Sequence, residues 1–213
     1  MYIPKHFREE SWPEIRKVMD QNSFAILVSC GEGAPVATHV PVRLVEPAPG
    51  KFVLQGHMSR GNPHWRLFES GNRVLAIFAG PHSYVSPRWY NHVNVPTWNY
   101  MAVHVYGKPR LVGDSGELHE LIKGLVDVYE GHVEAERRYT VEGLPADYLA
   151  SQMKGIVGFE ISVDEVQASF KLSQNRNQED YENVIVELGK SENQDARAVA
   201  QAMACRHARE AGK

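Results

Sequence analysis

Val36-Ala37-Thr38-His39-Val40-Pro41-Val42-Arg43-Leu44-Val45 decides the fold class. Val36, Thr38, Val40, Val42 and Leu44 fall on one side of a pleated chain, and Ala37, His39, Pro41, Arg43 and Val45 on the other. Successive strand side chains point to opposite faces, so this reads as a strand with one apolar row turned to a core. Pro41 has no N–H to give to a ladder, which predicts an edge or a bulge there. Before it, Phe24 to Cys30 reads as a buried strand ended by Gly31-Glu32-Gly33. After it, Pro47, Pro49 and Gly50 turn the chain into a third strand, Phe52 to His57. Three such runs separated by short turns make an antiparallel meander.

Outward from the meander, the period changes. Ser11-Trp12-Pro13-Glu14 has the spacing of a capping box and starts a helix with Ile15, Val18 and Met19 on one face. Asn62-Pro63 caps another, with Trp65 and Phe68 as its stripe and Gly71-Asn72 as its stop. Val74 to Ala79 predicts a central strand broken at Gly80-Pro81, with a short strand at Ser83 to Ser86. Asn99 to Tyr106 resumes alternation, setting Tyr100, Ala102, His104 and Tyr106 against Met101, Val103 and Val105. Asp114 and Glu117 head a helix whose Leu118, Leu121, Ile122, Leu125 and Val126 follow the helical period. A short helix at Ala146 to Lys154 precedes two strands, Ile156 to Val163 and Val166 to Leu172. Two closing helices follow, Tyr181 to Leu188 and Asp195 to Arg209. The expected fold is mainly β with helices (α+β): a small antiparallel barrel of six to seven strands, decorated by helices.

Bulk properties exclude several classes. With 213 residues, 43% apolar and 23% charged, the chain is long enough to bury a core and too apolar for disorder. A net charge of −3 gives no general attraction for nucleic acid. Cys30 and Cys205 have no metal-ligand spacing and read as reduced thiols of a cytoplasmic protein. No apolar run reaches membrane-spanning length, and Met1-Tyr2-Ile3-Pro4-Lys5-His6 has no signal-peptide core.

Three places carry chemistry. At Gly56-His57-Met58-Ser59-Arg60-Gly61-Asn62-Pro63 a strand ends and a capped helix begins, with a hydroxyl and a guanidinium beside free N–H groups. Such a corner suits an anion such as phosphate; an ordinary capped helix with Arg60 in water has the same pattern. Gly80 to Tyr106 concentrates Trp, Tyr and His around Val95-Pro96-Thr97-Trp98-Asn99-Tyr100. A pocket for a flat polar ring and a plain aromatic corner or interface both fit that composition. Lys171-Leu172-Ser173-Gln174-Asn175-Arg176-Asn177 is dense in amides and cations, as a heterocycle site or a solvated loop would be. The histidines His39, His57, His64, His82, His92 and His104 show no zincin spacing, so no metal site is expected. No nucleophile elbow, phosphate-cradling glycine loop or dinucleotide fingerprint is present, and no catalytic residue can be named.

These strings together resemble the PaiB family. Ala37-Thr38-His39-Val40-Pro41, Gly56-His57 through Trp65, Gly80-Pro81-His82-Ser83-Tyr84-Val85-Ser86, Val95 to Tyr100 and Lys171 to Arg176 carry the likeness, which runs nearly end to end. The resemblance implies an FMN-binding split β-barrel over residues 1–176 with a C-terminal helical extension over 177–213. It also implies a negative transcriptional regulator of the type linked to protease production and sporulation, working as a homodimer with FMN at its interface. Carried over by position, Ser59, Arg60 and the Asn62 helix start would bind the FMN phosphate. Thr38, His39 and His57 would lie along the cofactor, and Trp98, Asn99, Lys171, Gln174 and Arg176 would complete the contacts. The related oxidases place a Lys directly after the Ser-Arg pair, where this chain has Gly61. Alternatives are a flavin-dependent oxidoreductase and a haem-binding split barrel with His39, His57 or His104 as axial candidates. Direct DNA binding finds little support: no helix-turn-helix is evident, and Arg197, Arg206 and Arg209 share the last helix with Asp195. A protein regulatory partner is equally compatible.

Overall fold

Six strands are hydrogen-bonded in the ring order β1-β2-β3-β6-β5-β4, a closed barrel. They are β1 (Phe24–Ser29), β2 (Val36–Ala48), β3 (Lys51–Ser59), β4 (Val74–Val85), β5 (Thr97–Val112) and β6 (Ile156–Lys171). Among the described residues, five α-helices accompany them: α1 (Trp12–Gln21), α2 (Ser115–Glu130), α3 (Ala146–Lys154), α4 (Gln178–Gly189) and α5 (Gln194–Ala211). This is a computed structural model that describes residues 1–211, with side chains through Arg209. The last two positions of the expected helical extension lie outside the described residues. The mixed α+β barrel agrees with the fold class expected from alternation.

The chain forms two compact units: residues 22–78 with 104–166, and residues 1–21, 79–103 and 167–213. In the first, β1, β2 and β3 form the expected antiparallel meander. β2 pairs with β1 from Val36↔Ser29 to Pro41↔Phe24, and with β3 from Val42↔Gly56 onward. Pro41 is therefore the residue at which β2 changes partner. It has no N–H to offer, and the next amide, Val42, donates to Ser23 O on the β1 side (2.9 Å). The expected irregularity at Pro41 thus appears as the point where β2 and β3 part, and the bulge lies further on, between Val45 and Ala48. Beyond Gly56, β3 pairs with β6, His57 opposite Gly158 and Ser59 opposite Ile156.

Val40, Val42, Leu44, Leu54, Met58, Val103, Val105, Phe159 and Ile161 are buried, as the period-two pattern requires. Outside them, Val112, Leu118, Leu121 and Leu125 form a second cluster with Ile122, Met153 and Ile156. Asp114 caps α2 by accepting from Glu117 N. Gly124 of that helix lies against the Arg43 guanidinium, whose Nε donates to Gln55 (2.9 Å).

In the second unit, α1 buries Ile15, Val18 and Met19. α4 and α5 bury Tyr181, Val184, Leu188, Val199 and Met203, and the Tyr181 hydroxyl donates to Met203 O (2.9 Å). Asn177 caps α4, and fully buried Asp180 accepts from Asn91 N (2.8 Å) and from Asn177 Nδ2 (3.0 Å).

Three boundaries differ from the sequence reading. β4 runs unbroken through Gly80-Pro81 and absorbs the short strand expected at Ser83 to Ser86. At Gly80 a Cβ would sit 2.8 Å from Met101 O, so this glycine admits a close neighbour and does not end the strand. The two strands expected at the end are one, β6. Asp164 and Glu165, between the two expected strands, lie in the extended chain and pair with Arg73 at 3.4 and 3.3 Å. The segment after Asn62-Pro63 is a 3-10 helix, Pro63–Ser70, with the predicted Asn cap and left-handed Gly71.

At Gly107 a Cβ would lie 2.1 Å from Ser162 O, a backbone atom that cannot rotate away. Gly107→Ala is expected to cost about 3 kcal/mol or more, the range for overpacking against backbone. Gly33→Ala, with nothing within 4 Å of the new methyl, serves as the neutral control in urea denaturation.

A candidate cofactor site where two strands part

Beyond Val42 and Gly56 the separation of β2 from β3 leaves an open cavity of about 450 Å³. Thr38, His39, Val40 and Pro41 line it from β2, His57, Met58 and Ser59 from β3, and Asn62 from the helix cap. Gln152, Gly155 and Ile156 close it from the turn between α3 and β6. Five expected cofactor residues, Thr38, His39, His57, Ser59 and Asn62, are therefore brought to one place. The size is within the range of small-ligand sites, roughly 300–1,000 Å³.

A relay of hydrogen bonds around the buried His64 sets this corner. Asn62 Oδ1 accepts from His64 N (3.0 Å), and Asn62 Nδ2 donates to Thr38 Oγ1 (3.2 Å). Thr38 Oγ1 lies 2.8 Å from His64 Nδ1, and His64 Nε2 lies 2.8 Å from Ser29 Oγ. Thr38 Oγ1 and His64 Nδ1 share one proton, as do His64 Nε2 and Ser29 Oγ, with the tautomer of the neutral ring deciding which partner donates in each. Burial pushes the His64 pKa below its ordinary value of 6.5, consistent with that neutral form. Thr38 thus keeps one hydrogen-bonding site for a ligand.

Ser59 and Arg60 divide their capacity differently. Ser59 Oγ accepts from Gly61 N (3.2 Å) and keeps its own proton free to donate. Arg60 donates from Nε to Lys154 O and from Nη2 to Ile156 O, both at 2.9 Å, and its amide donates to Gly155 O (2.8 Å). The guanidinium buttresses the turn that closes the cavity and keeps Nη1 for other partners. The amides expected to be free are mostly used: Gly61, Asn62 and His64 bond within the corner, and Pro63 has none. His57 is the exception among the lining groups. Its Nδ1 is buried with no hydrogen-bond partner, and burial lowers its pKa. His39 is exposed, its ring 5.9 Å from Phe24.

The remaining expected residues lie in the second unit. Asn99 is fully buried, its amide bonded to Ser173 Oγ (2.9 Å) and Met203 Sδ (3.5 Å). Gln174 folds back on its own turn, accepting from Leu172 N (2.7 Å) and donating to Phe170 O. Ser173 between them has φ +64°, a left-handed conformation that this turn must hold in place. Lys171 donates to Thr97 and lies 5.8 Å over the Phe7 ring. Burial, and then the neighbouring Arg176, pull its pKa down. Arg176 stacks 4.8 Å over Tyr90. Trp98 is half exposed in an open aromatic cleft, 5.7 Å from His82 and 6.3 Å from Tyr84.

Sequence reasoning missed Ser29 and His64 as parts of the corner. The available signal was that His64 and Phe68 share one helical stripe, and their rings are in fact 5.5 Å apart. It also missed Gln152, Gly155 and Ile156, because nothing local shows that a turn a hundred residues away shuts the cavity. No group of His, Cys, Asp and Glu able to hold a metal occurs among the described residues.

His57, His64 and His104 all have pKa values lowered by burial from 6.5. The unfolded chain therefore binds protons that the native state refuses, and stability rises with pH through this range. The contribution is whole above about pH 6.5 and declines as pH falls toward the depressed native values. Urea midpoints between neutral and mildly acid pH should fall in step. His64→Gln should lower the midpoint at neutral pH and flatten its pH slope.

Comparison with known proteins places this geometry. Residues 1–165 match the family model described as "Putative FMN-binding domain". The Bacillus subtilis "Protease synthase and sporulation protein PAI 2" is 43% identical over 203 residues, covering 95% of this chain and 96% of that one. Among solved structures, the flavocytochrome Anf3 of Azotobacter vinelandii superposes with a TM-score of 0.62 at 14% identity, over 85% of this chain and 78% of that one. The FAD and heme binding protein of Mycobacterium smegmatis gives 0.59 at 17% identity, over 78% and 73%. The two structures speak for the shared barrel fold. The sequence matches go further, and by them the chain belongs to the PaiB family, within the FMN-binding-domain group.

Proposed function

We propose that this chain is an FMN-holding regulator of the PaiB type, a homodimer of the cytoplasm, acting in the control of protease synthesis and sporulation as the name of its Bacillus subtilis relative describes. The observation that carries the cofactor reading is His57. A buried imidazole nitrogen without a partner, on the wall of a cavity also lined by Thr38, Ser59 and Asn62, is a group waiting for a ligand. The residues present fit the polar end of FMN. Ser59 can donate its hydroxyl proton, Arg60 can add charge through Nη1, His57 can hydrogen-bond a phosphate or ribityl oxygen, and Thr38 can hydrogen-bond a ribityl hydroxyl. When bound, FMN supplies one- and two-electron chemistry at its ring.

The other cofactor residues implied by the family keep that role in this reading, with a division of labour. Asn99 and Gln174 have their side chains committed to the left-handed turn at Ser173, so they position. Trp98, Lys171 and Arg176 present the surfaces that can touch a ring or an anion. A barrel domain over residues 1–176 carries these groups, and residues 177–213 serve as its helical extension.

Regulation through a protein or a small molecule fits better than direct DNA contact. Arg206 and Arg209 of α5 are engaged by Glu9 and Glu14, and Arg197 donates to Ser191 O (2.7 Å), which leaves the helix poor in free cations for phosphates. No described helix is long and apolar enough to cross a membrane.

The test is loading. Protein purified from a flavin-replete host, or incubated with FMN and desalted, should be yellow with one flavin per chain and elute as a dimer. His57→Leu should weaken FMN about tenfold, as expected for loss of a hydrogen bond to an ionised group. A colourless protein that takes up no FMN overturns the reading, and rapid NADH oxidation by the loaded protein would make it an oxidoreductase. Haem is the second reading, favoured by the unpartnered buried Nδ1 atoms of His57 and His104; a Soret band after haem addition would select it.

A further inference from the structure

A second cavity, distinct in chemistry from the cofactor corner, lies in the unit formed by residues 1–21, 79–103 and 167–213. Its volume is about 250 Å³, room for about eight water molecules at bulk density. Val18, Met101, Phe170 and Leu172 make an apolar floor, and each is otherwise buried. Ala198 and Ala202 form the α5 wall, where two small side chains keep the space open.

The rim has the opposite character. Lys17, Arg206 and Arg209 bring three cations to it, against one lining carboxylate, Glu14. Arg209 is paired with Glu14, and Arg206 with Glu9 at 3.0 Å. Lys17 has no ion pair among the described residues and stands exposed at the mouth. An apolar floor under an excess of positive charge selects a ligand with an apolar body and one anionic end. The body removes the floor from water, and the anion meets Lys17, the rim cation without an ion pair among the described residues. A neutral apolar molecule would cover the cations without compensating them. A long acyl chain exceeds the volume, so the body is a single ring or a chain of similar bulk.

We propose that this cavity between α1 and α5 is a binding site for a small amphiphilic organic anion, a monocyclic or short-chain carboxylate or phosphate ester. The proposal goes beyond the flavin reading and uses none of the residues assigned to the cofactor. It also gives a regulator of this kind an input. Phe170 and Leu172 belong to the floor while Lys171 between them points the other way on the same extended chain, so an occupant bears directly on the Lys171 to Arg176 segment.

The probes are benzoate, phenyl phosphate and the uncharged benzyl alcohol, titrated into the full chain by calorimetry. Saturable binding of either anion, with benzyl alcohol much weaker, supports the site, and the stronger of the two anions identifies the head group. Lys17→Glu should weaken the bound anion by about tenfold, the loss of one charge-assisted hydrogen bond. Ala202→Phe should abolish binding by filling the cavity. Because that variant could fail to fold, its circular dichroism is compared with the parent, and ligand protection of the lining Cys205 from alkylation gives an independent readout in the unmodified chain. Cys30, also exposed and outside the cavity, is the internal control. Absence of saturable binding by both anions, equal binding of benzyl alcohol, or unchanged binding in Lys17→Glu overturns the proposal. Flavin loading measured on the same samples is unaffected by any of these outcomes.

Discussion

The parting of β2 from β3 at Pro41 is the constraint on which the candidate site depends. In a closed ring of strands each backbone amide is normally spent on a neighbour, and the wall has no gaps. A proline at the end of the β1 pairing removes one donor at the position where the β3 ladder would otherwise continue. Val42 turns its amide to Ser23, β3 goes on with β6 alone, and the space between Thr38 and Ser59 stays open. Everything polar in the corner is arranged around that opening.

The corner is preorganised around a buried histidine. His64 has both ring nitrogens satisfied, one by Thr38 and one by Ser29, and its backbone is capped by Asn62. In a low-dielectric setting such a relay is stable only when each member is paired, and here each is. Thr38, Asn62 and His64 therefore fix the geometry while Ser59 and His57 line the cavity, and Arg60 braces the turn that closes it. Positioning and binding are divided between different side chains, which is how a small site keeps its shape without its ligand.

Gly61 stands where related oxidases carry a second cation, and the arrangement of Arg60 gives that departure a physical meaning. Arg60 uses Nε and Nη2 to hold the backbone of Lys154 and Ile156. Its charge is present but its geometry is shared with a structural duty. A phosphate held here would rest more on hydroxyl and imidazole donors than on a cluster of cations, and its affinity would depend less on salt than a cation-rich site would.

The sequence by itself determined the apolar rows of the strands, the order of most strands and helices, and that His57 and Ser59 sit at one strand-to-helix corner, to which only the family resemblance joined Thr38. Those properties follow from period-two and period-three-to-four patterns and from cap chemistry, all of which act over a few residues. The family strings added the cofactor. Only the tertiary structure decided that Gly80 admits a neighbouring strand and does not break its own, that Asp164 and Glu165 lie within one long β6 beside Arg73, and that Arg60 is tied to the turn before Ile156. It alone revealed His64 as the hub of the corner, and Lys17 and Leu172 as parts of one cavity. Each of these joins residues far apart in the chain, and pairing at such distances is set by how the ring closes, which local pattern does not encode.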